Sequence, residues 1–253
     1  MTLDIQKANF SKRISAYLFD FILMAILVVG IACGVSAILG FDGYSQRYAD
    51  LTAKYETDFG VTFNIAQEEY EAMSDEEKAQ YDKAFDAFAE DEEVLYVYNM
   101  IVNLSLVMIT AAILLSYLIL EFVVPLLLKN GQTLGKKIFG IAVMRNDCVK
   151  LTPVALFIRA FLGKFTVETM IPVILILMMF WGGIGIIGPS IVLAILIVQI
   201  CMLLFSHNRA AIHDYLSLSV VVDYSSQMIF DSTEDLIAYK QRIAAEKANE
   251  QPY

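Results

Sequence analysis

Histidine and cysteine are scarce in this chain, two of the first and three of the second among 253 residues. Cys33, Cys148 and Cys201 stand far apart, the first and last of them inside apolar runs, so neither a disulfide framework nor a metal-ligand spacing follows. No metal and no cofactor is expected. His207 and His213 both fall at the margin of the last apolar stretch, and His213-Asp214 lacks the nucleophile that a triad requires. An enzyme is therefore not expected. Basic residues are also few, 18 Lys and Arg against 28 Asp and Glu for a net charge of -10, which argues against a nucleic-acid partner.

What the chain has in excess is apolar sequence. The hydrophobic fraction of 58% exceeds the roughly 45–50% of ordinary soluble domains. Three long apolar stretches carry it: Ile14 to Leu39, Val94 to Leu128, and Phe165 to Phe205. A span needs about 20 residues, so the first two each fit one span with some excess for tilt. The third is too long for one span, and Trp181-Gly182-Gly183-Ile184-Gly185-Ile186-Ile187-Gly188-Pro189 interrupts it. Glycine weakens a helix and proline breaks it, which predicts a hairpin of two spans over 166–180 and 189–205, with a re-entrant pair left open. Although Lys7, Lys12 and Arg13 precede the first run, it exceeds a signal-peptide core of about 7–15 residues and contains Asp20, so it reads as an uncleaved anchor.

Orientation follows from the distribution of charge. Residues 40–93 hold sixteen Asp or Glu and four Lys or Arg; seven basic residues lie between Lys129 and Lys164 and three in the first thirteen positions. The positive-inside rule then predicts both termini in the cytoplasm of a multi-pass cell-membrane protein. The expected order is a cytoplasmic N-terminus (1–13), a first span (14–39), an acidic external loop (40–93), a second span (94–128), a basic cytoplasmic loop (129–165), a two-span hairpin (166–205) and a cytoplasmic strand with a charged tail (206–253). The fold class is all-α integral membrane, a four-span helical bundle with a small cytoplasmic β-ribbon.

Local patterns fill in the loops. Ser74-Asp75-Glu76-Glu77 has the capping-box form and predicts a short helix from about Asp75 to Asp91. Ile138 to Arg145 and Leu218 to Asp223 are β-branched and bounded by turn or charged residues, as strands are. Thr152-Pro153 reads as an N-cap with proline at the first helical position, predicting an interfacial amphipathic helix over 152–165. Ser232 with Asp235 repeats the start signal for a helix near Thr233 to Ala248.

The chemistry rests on acids inside apolar runs. Asp20 lies seven residues beyond Arg13, two helical turns and roughly 10 Å deeper on the same face. A carboxylate inside a span costs about 2.5–3.5 kcal/mol on insertion scales and needs protein or water around it. Glu121 lies eight residues before Lys129, and Glu168 four after Lys164, so three spans place an acid in one stratum. Such a cluster can bind a cation or share protons, because neighbouring carboxylates cannot all ionise. The alternative is structural: each acid pairs with Arg13, Arg159, Lys164 or Arg209 and fixes helix packing. Gln199 either lines a path or bonds a neighbouring helix. Gly183, Gly185 and Gly188 spell a dinucleotide motif in the wrong context, and Gly131-Gln132-Thr133-Leu134-Gly135-Lys136-Lys137 is one residue short of a phosphate loop.

Arg13 and Asp20, the Gly131 to Lys137 loop running into Ile-Phe-Gly-Ile-Ala-Val, and His213-Asp214 before Leu-Ser-Val-Val-Val together resemble the RDD family of bacterial membrane proteins, named for an arginine and two aspartates. The resemblance covers residues 7 to 40 and about 95 to 223. It implies that Arg13, Asp20 and Asp214 are the family's three charged positions and that Gly131, Gly135 and Lys136 belong to its loop, in structural or gating roles. It also implies cation/proton exchange, which has been associated with some members. The leading expectation is thus secondary transport of a small cation coupled to protons, with Asp20, Glu121 and Glu168 binding Na⁺ or H⁺, in a homo-oligomer embedded in lipid. The rival is a non-transporting scaffold or assembly factor that binds another protein.

Overall fold

Apolar runs of this length form helices because a bilayer offers backbone groups no hydrogen-bond partners. The structure, a computed structural model, describes residues 4–128, 130–180, 185–206 and 208–250. Among these, four helices are long and apolar enough to cross a membrane: Phe10–Leu39, Glu92–Leu128, Pro153–Met179 and Ile187–Phe205. Little of their surface is buried within the protein, the arrangement expected where lipid is the solvent. The chain is an all-α multi-pass membrane bundle carrying one two-stranded sheet. Lys129, Trp181 to Ile184 and His207, which the sequence reading used as an interface marker, part of the hairpin turn and a margin histidine, lie outside the described residues.

The chain divides into two compact units, residues 29–112 and residues 1–28 with 113–253. Helix α1 (Phe10–Leu39) runs from one into the other, as does α5 (Glu92–Tyr117). The 29–112 unit adds three helices: α2 (Phe41–Phe59), α3 (Gln67–Ala72) and α4 (Asp75–Glu90). The predicted capping box is present: the Ser74 hydroxyl accepts from the Glu77 N–H, and the Glu77 carboxylate accepts from the Ser74 N–H. The predicted loop helix is therefore correct within a residue, but it packs in a small aromatic domain and is not an isolated solvated rod. Leu51, Phe88, Val94 and Val97 form its core with Tyr44, Tyr48, Tyr55 and Phe63 around them. Asp91 starts α5 by accepting from the Glu93 and Val94 N–H groups, and the Tyr55 hydroxyl donates to its other oxygen at 2.8 Å.

In the other unit, α5 continues through a π-helical turn (Leu118–Val123) to Leu128. A short helix α6 (Leu134–Ile138) follows, then β1 (Ile141–Arg145). The strand thus begins three residues later than Ile138, because Thr133 caps α6 by accepting from the Lys136 N–H. Next comes α7 (Pro153–Phe157), a π-helical run (Ile158–Met170), and α8 (Ile171–Phe180). The predicted cap is there, with Thr152 accepting from the Ala155 N–H. The separate interfacial helix is not: no break occurs near 165, and α7 runs without interruption into the third apolar helix. The chain ends with α9 (Ile187–Phe205), α10 (Ile212–Leu216), β2 (Ser219–Asp223) and α11 (Thr233–Glu250).

β1 and β2 pair antiparallel, with Ile141 opposite Asp223 and Arg145 opposite Ser219. Both faces are covered, so apolar residues occupy consecutive positions. Ile141, Val143 and Val221 pack with Ala8 and Ala16, whereas Ala142, Met144, Val220 and Val222 pack with Cys148, Ile5 and Phe230. The N-terminal segment docks on the open edge of β2, where Ala8 donates to Val221 and Asp223 donates to Gln6.

α6 meets α1 at Gly135, where a Cβ would stand 2.4 Å from the Ala16 carbonyl oxygen and 2.9 Å from the Asp20 carboxyl carbon. Gly135→Ala is expected to force the two elements apart at about 1–3 kcal/mol, the usual overpacking cost. Thermal unfolding of the purified chain in detergent checks this against Gly34→Ala, whose Cβ meets nothing within 4 Å and which should not lower the midpoint, since alanine favours the helix.

Candidate functional site

The acids anticipated from sequence occur at the ribbon end of the bundle, together with their counter-charges. Asp214 on α10 is fully buried, and one of its oxygens lies 2.8 Å from the Arg159 guanidinium, the other 3.2 Å from that of Arg13. Arg13 also donates to the Arg209 carbonyl at 2.6 Å, and the Ala211 N–H donates to Asp214. Burial opposes ionisation of Asp214, but Arg159, His213 and Arg13 outweigh it and hold the carboxyl well below the usual carboxylate range. Three elements, α1, the π-helical run and α10, meet at one carboxylate.

Asp20 has a different environment. It accepts from the Thr133 hydroxyl at 2.5 Å and from the Gly135 N–H at 2.7 Å, and so caps α6 from a neighbouring helix. None of the basic partners weighed for it from sequence comes within ion-pair distance among the described residues. Its partners are neutral donors, which the sequence reading did not consider. Gly131 adopts φ +60°, a left-handed conformation that favours glycine, and its Cβ would lie 2.8 Å from the Val143 carbonyl oxygen. The loop thereby lies flat against β1 and presents Thr133 and Gly135 to Asp20.

Glu121, on the π-helical turn of α5, pairs with Lys164. Glu168 accepts from the His213 backbone N–H and lies 2.8 and 2.9 Å from the imidazole Nδ1. The other ring nitrogen stands 3.4 Å from Asp214. His213 thus bridges two carboxylates. Burial pushes the imidazole below its ordinary pKa, and the two flanking carboxylates oppose that shift. α10 approaches closely enough for this only because residue 163 is glycine, where a Cβ would fall 2.4 Å from the His213 Cβ.

Arg13, Asp20, Glu121, Lys136, Glu168 and His213 all border one cavity of about 470 Å³. The three anticipated acids therefore do share a chamber. They do not form a bare carboxylate cluster, since each already accepts from its own donor. Lys136 is the exception among the cations: it is 8% exposed, and no carboxylate among the described residues comes within ion-pair distance of its ammonium. Burial, with Lys164 and Arg159 nearby, brings its pKa down to about 7.

Thr133, Gly163 and the Glu168–His213 contact were missed from sequence. One signal was available: Glu121 and Glu168 each stand four residues before a proline, Pro125 and Pro172. A helical proline leaves the carbonyl four residues earlier without its donor. In both spans π-helical bonding precedes the proline, with Val124 donating to Ile119 and Ile171 to Thr166.

The model of the RDD family matches residues 7–217 of the chain. Neither the curated proteins nor the solved structures contain a match.

Asp214→Asn should destabilise strongly, by about 3–5 kcal/mol, because it leaves two guanidinium groups uncompensated. The same unfolding measurement checks it. Lys136 yields a pH dependence. Its folded pKa of about 7 lies below the ordinary 10.5, so between these values the folded state binds fewer protons than the unfolded one, and stability falls as pH is lowered from 10.5 to 7. Lys136→Met is expected to flatten that slope in midpoints recorded from pH 7 to 10.

Proposed function

From the premise that the chain belongs to the RDD family, we propose that this membrane protein moves a small cation across the bilayer in exchange for protons. The observation that carries the reading is the shared cavity: Asp20, Glu121 and Glu168, from three different spans, border one chamber with a histidine between two carboxylates. Intramembrane acids lining a cavity mark ion and proton pathways. Glu168 and His213 are the proton-exchanging pair in this scheme, since the imidazole can carry a proton between two acceptors. Glu121 becomes available to a cation when Lys164 swings away, and Asp20 when the α6 cap loosens. The predominance of basic residues around the ribbon supports placing that end in the cytoplasm. Four spans are few for alternating access, which favours a homodimer.

One observation favours the alternative of a non-transporting scaffold. Every one of these acids is already satisfied by a protein donor, the arrangement expected of a structural latch, and residues 29–112 form a unit with its own core that could bind another protein.

Sodium uptake into vesicles carrying the purified protein, with an internal acid load and a fluorescent pH readout, separates the two. Transport predicts coupled sodium entry and alkalinisation, lowered at least tenfold by Glu168→Gln and by Asp20→Asn in protein that remains folded. Absence of flux from folded wild-type protein would favour the scaffold.

A further inference from the structure

Two groups on the cavity wall lack an ion pair or hydrogen bond among the described residues, and they are of opposite type. The Lys136 side chain is largely buried and its ammonium makes no ion pair, and the Gln199 Oε1 is a buried acceptor without a hydrogen bond, both among the described residues. An unsatisfied buried polar group is costly, so both point to an occupant. The geometry of the rim says where it comes from. Phe10, Ile14, Tyr17 and Phe21 on α1 and Leu196 on α9 border the same cavity, and between 42% and 63% of each remains exposed. They belong to two of the helices apolar enough to span, so the rim is continuous with the surface that acyl chains cover. The chamber is therefore charged at its ribbon end and apolar where it meets lipid.

We infer that the cavity binds an anionic phospholipid of the surrounding bilayer, its phosphate on the Lys136 ammonium and the upper part of one acyl chain between α1 and α9. Lys136 is the cation left to receive it, because Arg13 and Arg159 are engaged by Asp214 and Lys164 by Glu121. A volume of about 470 Å³ falls in the range of small-molecule sites and suits a headgroup with the first carbons of a chain. Gln199 offers its carbonyl to a hydroxyl of the headgroup or to a water carried in with it. This inference goes beyond the transport reading and does not depend on it, since occupancy needs no ion gradient.

Native mass spectrometry of the full chain in detergent tests it with added phosphatidylglycerol or phosphatidylcholine. The expected result is one retained phosphatidylglycerol per copy, at least tenfold preferred over phosphatidylcholine, lost in Lys136→Gln and kept in Lys136→Arg. Leu196→Trp, which fills the lipid-facing mouth and leaves the charged wall alone, should also expel it, so the test survives a failure of Lys136→Gln to fold. Inorganic phosphate at millimolar concentration should not displace the lipid; displacement would identify the site as one for the free anion and overturn the inference. Equal retention of the two lipids, or retention in both Lys136→Gln and Leu196→Trp, would overturn it as well. Sodium flux in vesicles of phosphatidylcholine alone reads the transport proposal separately.

Discussion

A fully buried carboxylate between two guanidinium groups sets the terms for the ribbon end of this protein. Asp214 costs a great deal to desolvate, and the guanidinium groups of Arg13 and Arg159 are the charges paired with it. Because those arginines come from the first span and from the π-helical run that begins the third, the ion triad fixes where both enter. Everything nearby is arranged with respect to it: His213 next in sequence reaches back to Glu168, Ser219 at the start of β2 lies against both Arg159 and Asp214, and Arg13 ties down the turn at Arg209. Removing one member would leave the others buried without their counter-charge.

The second constraint is helical pitch. Arg159 and Glu168 are nine residues apart, and at about 100° per residue an α-helix would put them on opposite faces. In the π-helical run from Ile158 to Met170 the bonds close on the fifth residue, so positions four or five apart line up instead. Arg159, Lys164 and Glu168 consequently all border one cavity. The wide turns also accommodate Pro172 and Pro125, whose missing N–H groups would otherwise leave carbonyls exposed in an apolar medium. Site geometry and proline tolerance therefore share a cause.

These two constraints explain what could be read in advance. Span number, the ribbon, the capping box at Ser74 and the two-turn spacing of Arg13 and Asp20 were legible, because each depends on composition or on spacing within a few residues, whereas the weight on Asp214 came from the family resemblance alone. The presence of acids at one level was legible too, since flanking basic residues mark depth. Their partners were not. Asp20, open from sequence to ion or proton binding or to a basic partner, accepts from a hydroxyl and a backbone N–H of a loop more than a hundred residues away. The distance of Glu168 from Lys164 in sequence gives its depth but not its contact with His213, which comes from a separate element. Thr152 to Phe165 reads as a separate amphipathic helix because Arg159 and Lys164 interrupt its apolar residues, yet both charges face inward, onto Asp214 and Glu121.

The sequence distance spanned by these contacts bears on biogenesis. Arg13 waits 201 residues for Asp214, and Asp20 waits 115 for Gly135. During synthesis the first helix therefore enters the bilayer with an arginine and an aspartate whose counterparts have not been made, and the arginine is relieved only after the final span has left the ribosome. A chain truncated anywhere before α10 carries a guanidinium without its carboxylate, so the same triad that holds the finished bundle also distinguishes it from its precursors.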